Sequence, residues 1–299
     1  MDLLPGTRSE TFPVPGGAVH ARIGGEGPPL LLLHGFPQTH LMWHPIAGEL
    51  MRRFTCVMPD LPGYGRSSCP ADTPDHLAYS KRKMAADLAA VMAHLGFPRF
   101  AIAGHDRGGR VAYRMALDLP DAVACLCVLD IVPTHAMWTG MNAKLAMRAY
   151  HWPFLAQPFP LPEMLLEKSS TAWIDHTLAS WTATKDLTSF HPDALAAYRA
   201  MFCEKERIHA LCNDYRAGAT VDLALDTADV EAGRRISAPT LALWGDAGFP
   251  SETAGPLATW RKWCGQVEGR AISAGHFVVE ENPRETLAAL MPFLDRHGR

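Results

Sequence analysis

The pentapeptide Gly104-His105-Asp106-Arg107-Gly108 places a carboxylate where a nucleophile would stand on a sharp turn. The apolar run Phe100-Ala101-Ile102-Ala103 before it reads as a buried strand, and the segment opening at Arg110 reads as a helix. Strand, tight turn and helix is the setting of a nucleophile elbow, with small flanking residues that let the turn close. The residue type selects the chemistry. A carboxylate attacking acyl carbon gives only a reactive anhydride, so its productive use is displacement at an alkyl carbon, which leaves an alkyl ester on the protein. The leaving group is then a halide or an epoxide oxygen. An aspartate opening a helix is also a common cap, so the elbow needs support from the rest of the chain.

Such an elbow requires a sheet to carry it. Short continuous apolar runs at 30–33, 54–58, 100–103, 125–129 and 240–244 have the signature of strands buried on both faces of a parallel sheet. Amphipathic helices separate them. Ser80 caps one whose apolar stripe is Met84, Leu88, Val91, Met92 and Leu95 and which Gly96 ends. Another begins at Asn282-Pro283, with proline at the first helical position, and carries Leu287, Leu290, Met291 and Leu294. The alternation predicts an α/β fold with a mostly parallel, doubly wound sheet. It breaks between about residues 135 and 218, where helical signals at 142–150, 162–168 and 193–202 are interrupted by prolines and no strand is evident. A helical insertion of this kind is expected to cover the carboxyl ends of the strands, where ligands bind in open α/β sheets. The predicted organisation is a core formed by residues 1–135 and 219–299 with a helical cap at 136–218.

Composition limits the partners. A chain of 299 residues with 48% hydrophobic and 20% charged residues has ample material for a core. A net charge of -3 without a Lys/Arg run gives no electrostatic case for nucleic acid or an anionic membrane, which points to a small molecule. The amino terminus lacks the basic and apolar regions of a secretory signal, and no apolar run approaches the ~18 residues of a membrane span, so a cytoplasmic location is expected. Seven scattered cysteines imply reduced core thiols. Cys125 and Cys127 have no second Cys or His pair at zinc spacing, so no metal is expected.

Four motifs in order, His34-Gly35-Phe36-Pro37, Asp60-Leu61-Pro62-Gly63-Tyr64-Gly65-Arg66-Ser67, the aspartate elbow and Ala274-Gly275-His276-Phe277, resemble the α/β-hydrolase superfamily across nearly the whole chain. Within it, His105-Asp106-Arg107-Gly108-Gly109-Arg110, His151-Trp152 and Asp214-Tyr215-Arg216 look like the fluoroacetate dehalogenases. That resemblance implies a cofactor-independent hydrolase in which Asp106 displaces halide from a small 2-haloacid and His276 activates the water that cleaves the ester. Two aspartates at strand ends, Asp130 and Asp246, are candidates to orient His276. The resembling dehalogenases use the earlier position, hence Asp130, and Asp246 has a turn-capping role open to it. The backbone N–H groups of Phe36 and Arg107 are placed to receive an oxyanion.

Arg107 and Arg110, three residues apart on one helix, can hold a substrate carboxylate bidentately. They would offset a like-charge repulsion of roughly 4 kcal/mol at ~4 Å between that carboxylate and Asp106. If either is spent on an acid of the protein, Arg110 is the expected one. His151, Trp152 and Tyr215 would donate to the leaving halide, which matters most for small, strongly hydrated fluoride; Trp181 is a further pocket candidate. A homodimer is implied by the resemblance alone. An epoxide hydrolase with the same Asp and His machinery is the alternative, and a non-catalytic binding module on the same scaffold is a third reading.

Overall fold

The computed structural model describes residues 2–250 and 255–298. Its strands are β1 (Thr7–Val14), β2 (Gly17–Gly24), β3 (Pro29–Leu33), β4 (Thr55–Pro59), β5 (Phe100–His105), β6 (Val123–Leu129), β7 (Thr240–Gly245) and β8 (Val267–Ile272). They form one sheet in the order β1-β2-β4-β3-β5-β6-β7-β8. β1 and β2 pair antiparallel, as do β2 and β4; every other pairing is parallel. The expected α/β fold with a mostly parallel sheet is therefore the fold of the chain.

The apolar runs became central strands because side chains alternate between two covered faces. On β3, Leu31 and Leu33 pack with Leu88, Val111 and Met115, while Leu30 and Leu32 pack on the other side with Trp43, Leu50 and Leu294. β5 is buried at every position. The edge strands lack this signature. β8, Val-Glu-Gly-Arg-Ala-Ile, is mostly exposed, and β1 alternates polar residues along an open edge.

The caps follow the sequence. Ser80 Oγ accepts from the Lys83 N–H at the start of helix Lys81–His94, and Asn282 Oδ1 accepts from Glu285 N–H at the start of helix Pro283–His297. Between β6 and β7 the described residues form helices and no strand, beginning with Thr134–Thr139 and ending with Val221–Glu231. The expected insertion at 136–218 lies inside this run, and the signal at 162–168 opens a 21-residue helix, Leu161–Trp181. No helix of the described residues is long and apolar enough to cross a membrane.

At the carboxyl end of β5 the chain turns directly into helix Asp106–Asp118. Asp106 holds the turn with φ of 43°, a left-handed conformation that costs of order 1–3 kcal/mol in a residue with a side chain. Closure depends on backbone contact. A Cβ on Gly108 would lie 2.3 Å from the His34 carbonyl oxygen and 2.6 Å from that of Leu33. Gly108→Ala is accordingly expected to destabilise the protein by about 1–3 kcal/mol, measured as a lower midpoint in urea unfolding.

Candidate active site

Asp106 is almost wholly buried at the elbow, with Oδ2 accepting the Phe36 N–H at 3.0 Å. A Cβ on Gly35 would lie 2.6 Å from Asp106 Cβ, so the glycine lets the Phe36 amide reach the carboxylate. Burial alone would push the Asp106 carboxyl up. The charges of His276, Arg110 and Arg107 outweigh burial and hold it below its ordinary range. It is an ionised, desolvated carboxylate at neutral pH.

His276 follows β8 on a loop pinned from two sides. Its N–H donates to the Trp181 carbonyl at 2.9 Å, and Glu281 accepts the N–H groups of Gly275 and Phe277 at 2.9 Å each. His276 Nδ1 lies 2.5 Å from Asp130 Oδ2, and the Gly245 N–H donates to Asp130 Oδ1 at 2.8 Å. Asp246 instead accepts the Ala274 N–H at 3.3 Å, so of the two candidate partners it is Asp130 that touches the imidazole. Burial works against the imidazolium, but the Asp130 hydrogen bond and charge, joined by Asp106, raise the His276 pKa on balance. With Nδ1–H committed to Asp130, Nε2 is the bare nitrogen.

The two arginines have different surroundings. Arg107 Nε donates to Asp214 Oδ2 at 2.9 Å, and its Nη2 donates to Asp214 Oδ1 at 3.0 Å and to the Asp214 carbonyl at 2.5 Å. Lys81 Nζ also bonds Asp214 and lies 3.5 Å from Asp222, while the Tyr64 hydroxyl donates to Asp214 at 2.6 Å. Two cations and two carboxylates thus form a buried neutral block. Arg110 donates only to the Val132 carbonyl at 3.0 Å and Thr134 Oγ1 at 3.1 Å, and its Nε has no partner. No carboxylate lies within ion-pair distance of it among the described residues. The expectation that Arg110 would be the more readily spent arginine is reversed, because Asp214 meets the plane of Arg107.

A narrow cavity of about 20 Å³ lies over the elbow, lined by Asp106, Arg110, His151, Trp152, Phe249 and His276 among others. On the same scale a single water needs roughly 10–15 Å³. Arg107, Tyr215 and Trp181 stand behind this lining. The Tyr215 ring is stacked 4.0 Å from the Arg107 guanidinium, and the ring centroids of Trp181 and His151 are 4.3 Å apart. Besides Arg110 Nε, three buried polar atoms in this group have no partner among the described residues: His151 Nδ1, Trp181 Nε1 and the Tyr215 hydroxyl. Burial pulls His151 well below its ordinary pKa and pushes Tyr215 well above its own, so both are neutral.

Several contributors were not singled out in the sequence. Asp214 stands beside Tyr215 in a quoted motif, but its pairing with Arg107 spans 107 residues and has no local signal. Lys81, Phe249 and Gln38 were missed for the same reason. His20, His40 and Asp60 also converge, their ligand-type atoms within 4.8 Å of one another. There Asp60 Oδ1 accepts from the backbone N–H and Nδ1 of His40 and Oδ2 accepts the Arg66 N–H, with His20 Nδ1 at 3.3 Å from Oδ2, so the carboxylate ties these segments together.

Comparison with known proteins shows the family of the fold. A family profile described as α/β hydrolase fold matches residues 28–283. A fluoroacetate dehalogenase from Burkholderia sp is 41% identical over 276 residues, covering 92% of this chain and 90% of that protein. A soluble epoxide hydrolase from Corynebacterium sp. is 29% identical, covering 92% and 93%. A crystal structure from Nostoc sp PCC 7120, put forward as an α/β hydrolase, has a TM-score of 0.93 and 45% identity over 96% of this chain and 98% of that one.

Asp214→Asn would leave Arg107 and Lys81 with half their compensation in a dry interior. Breaking a buried pair from one side costs about 3–5 kcal/mol, and a loss of that size is expected in the unfolding free energy measured with urea.

Proposed function

The chain belongs to the α/β-hydrolase family and is a hydrolase, and on that premise we propose that it removes halide from a small 2-haloacid, with fluoroacetate yielding glycolate and fluoride. The observation that carries the reading is Arg110, a buried cation without a carboxylate partner, lining the same small cavity as Asp106 and His276. A buried charge calls for an opposite one. The substrate carboxylate supplies it, and the narrowness of the cavity favours a short acid.

Asp106 Oδ2 is held by the Phe36 N–H, which leaves Oδ1 to attack the halogen-bearing carbon. The new C–O bond forms as the C–X bond breaks, and the halide departs with the electron pair toward the N–H and O–H donors of His151, Trp152 and Tyr215, with Trp181 beside them. Fluoride holds its solvent tightly, so replacing that shell with fixed donors lowers the cost of its departure. His276 Nε2 then takes a proton from water as the water oxygen adds to the Asp106 carboxyl carbon. Oδ2 becomes the oxyanion, met by the N–H groups of Phe36 and Arg107. Collapse expels the hydroxyacid oxygen, which takes its proton from His276; one oxygen of Asp106 has come from water, and the second water proton, left on the Asp106 carboxyl, passes through His276 Nε2 to solvent, which restores the carboxylate. Arg110 is the direct mooring for the substrate, and Arg107, held by Asp214, braces the Tyr215 ring.

An ion-selective fluoride assay with fluoroacetate, run beside chloroacetate and styrene oxide, tests the assignment; turnover of the epoxide alone would overturn it. His276→Asn is expected to complete the displacement and stop at the ester, seen by intact-protein mass spectrometry as an adduct on Asp106. Continued fluoride release with an unmodified mass would remove His276 from the base role. Arg110→Met should raise KM for the acid at least tenfold, the value of one buried charge-assisted contact of about 1.5–3 kcal/mol, with a smaller change in kcat.

A further inference from the structure

Behind His276 a second file of buried groups runs away from the cavity. His105 Nε2 lies 2.8 Å from the His276 backbone oxygen, and His105 Nδ1 lies 2.8 Å from the side-chain amide of Gln38. The other end of that amide is 2.6 Å from Glu280 Oε2, and the Tyr198 hydroxyl donates to Glu280 Oε1 at 2.9 Å. All four side chains are buried.

Counting protons along this file fixes its state. The His276 carbonyl can only accept, so His105 Nε2 must carry a proton for that contact to be a hydrogen bond. Burial holds His105 down to about 3, so the ring is neutral and its Nδ1 is bare. The structure shows Gln38 Oε1 toward His105 and Nε2 toward Glu280; the proton count requires the amide turned the other way, NH2 toward His105 and oxygen toward Glu280, an orientation that occupies the same heavy-atom positions. A Gln38 oxygen facing Glu280 Oε2 at 2.6 Å requires a proton between them, and the carboxyl is the group able to carry it.

We propose that Glu280 is a protonated, hydrogen-bond-donating positioning residue whose proton, passed on as bond polarity through Gln38 and His105, holds the backbone of His276 in place. This rests on His276 being the base of the proposed reaction. Ionising Glu280 reverses the file: Gln38 offers its NH2 to the carboxylate and its oxygen to His105, the tautomer shifts, and the bare His105 Nε2 then faces the His276 oxygen. The titratable and charged groups facing Glu280 are Tyr198, its neighbour Glu281 and, through Gln38, His105. Burial is the dominant influence and Glu281 adds to it, against the hydrogen bond from Tyr198; the carboxyl is pushed up to about 8 even with the Gln38 NH2 facing it, an opposing contact that the turned amide removes.

Three measurements test this. Carboxylic-acid infrared absorption assigned to Glu280 by difference between the protein and its Glu280→Gln variant should be present at pH 7 and vanish as pH rises through about 8; an ionised Glu280 at pH 7 would overturn the proposal. That readout involves no substrate, so it stands even if the haloacid reading fails. The folded state keeps a proton that the unfolded state releases near the ordinary carboxyl range, so stability falls as pH climbs between those values. Glu280→Gln, which presents an NH2 that needs no protonation, should therefore gain melting temperature over the parent as pH rises through that window; a constant difference overturns the proposal. Where activity is measured, Glu280→Ala should lose at least tenfold in kcat. Glu280→Gln should recover most of that loss and lack the alkaline fall shown by the parent; an unchanged alkaline fall counts against Glu280.

Discussion

The pairing of Arg107 with Asp214 decides the electrostatics of everything above the elbow. Without Asp214, two buried guanidinium groups would crowd one small space, and neither charge would be distinguished. With it, Arg107 joins Lys81, Asp214 and Asp222 in a neutral block, and the surplus charge is localised on Arg110. A single cation without an ion-pair partner, beside an ionised nucleophile, selects for an anion that can approach carbon and charge at once. The Tyr64 hydroxyl and the stacked Tyr215 ring lock the geometry of the block, so its effect at the cavity is fixed before any ligand arrives.

Strain and sheet position serve the same end. Asp106 and Asp130 both adopt left-handed backbone angles at the carboxyl ends of adjacent parallel strands, β5 and β6. Neither is a glycine, and a left-handed conformation persists in such residues only where the surroundings over-determine it. Here the Phe36 N–H fixes one carboxylate and the Gly245 N–H fixes the other. The sheet supplies rigid strand ends, and the backbone cost is repaid in the aim of two carboxylates: one at the cavity, the other at the far nitrogen of His276.

What the sequence disclosed depended on range. The elbow, the caps at Ser80 and Asn282, and the five central strands are encoded by neighbours, so local pattern was enough. His276 was recognisable from the Ser-Ala-Gly-His segment late in the chain, although β8 before it carries too many polar residues to read as a strand. The choice between Asp130 and Asp246 is one of direction, which spacing does not contain; both follow strands and both accept backbone N–H groups. The partition of Arg107 and Arg110 was misjudged because Asp214 lies 107 residues along the chain and nothing local in the sequence joins its carboxylate to Arg107. Gln38, His105 and Glu280 were opaque for a similar reason. Each is an ordinary polar residue until the fold files them behind His276.

The donor set bears on the choice between halide and epoxide oxygen. Opening an epoxide creates an alkoxide that must be given a proton, whereas a departing halide is already a stable anion and needs only hydrogen bonds. Among the cap tyrosines, Tyr198 is occupied by Glu280 and Tyr150 faces Thr177, leaving the Tyr215 hydroxyl as the unpartnered phenol at this site. Burial and the Asp106 charge push that phenol further above its ordinary pKa, which makes it a poorer acid. Its companions are an indole N–H on Trp181 and a neutral imidazole on His151, groups that donate hydrogen bonds without surrendering protons at neutral pH. Donors of this kind, in and behind the cavity wall, solvate a leaving anion better than they protonate one, and that asymmetry, together with the charge on Arg110, favours the proposed haloacid over the epoxide.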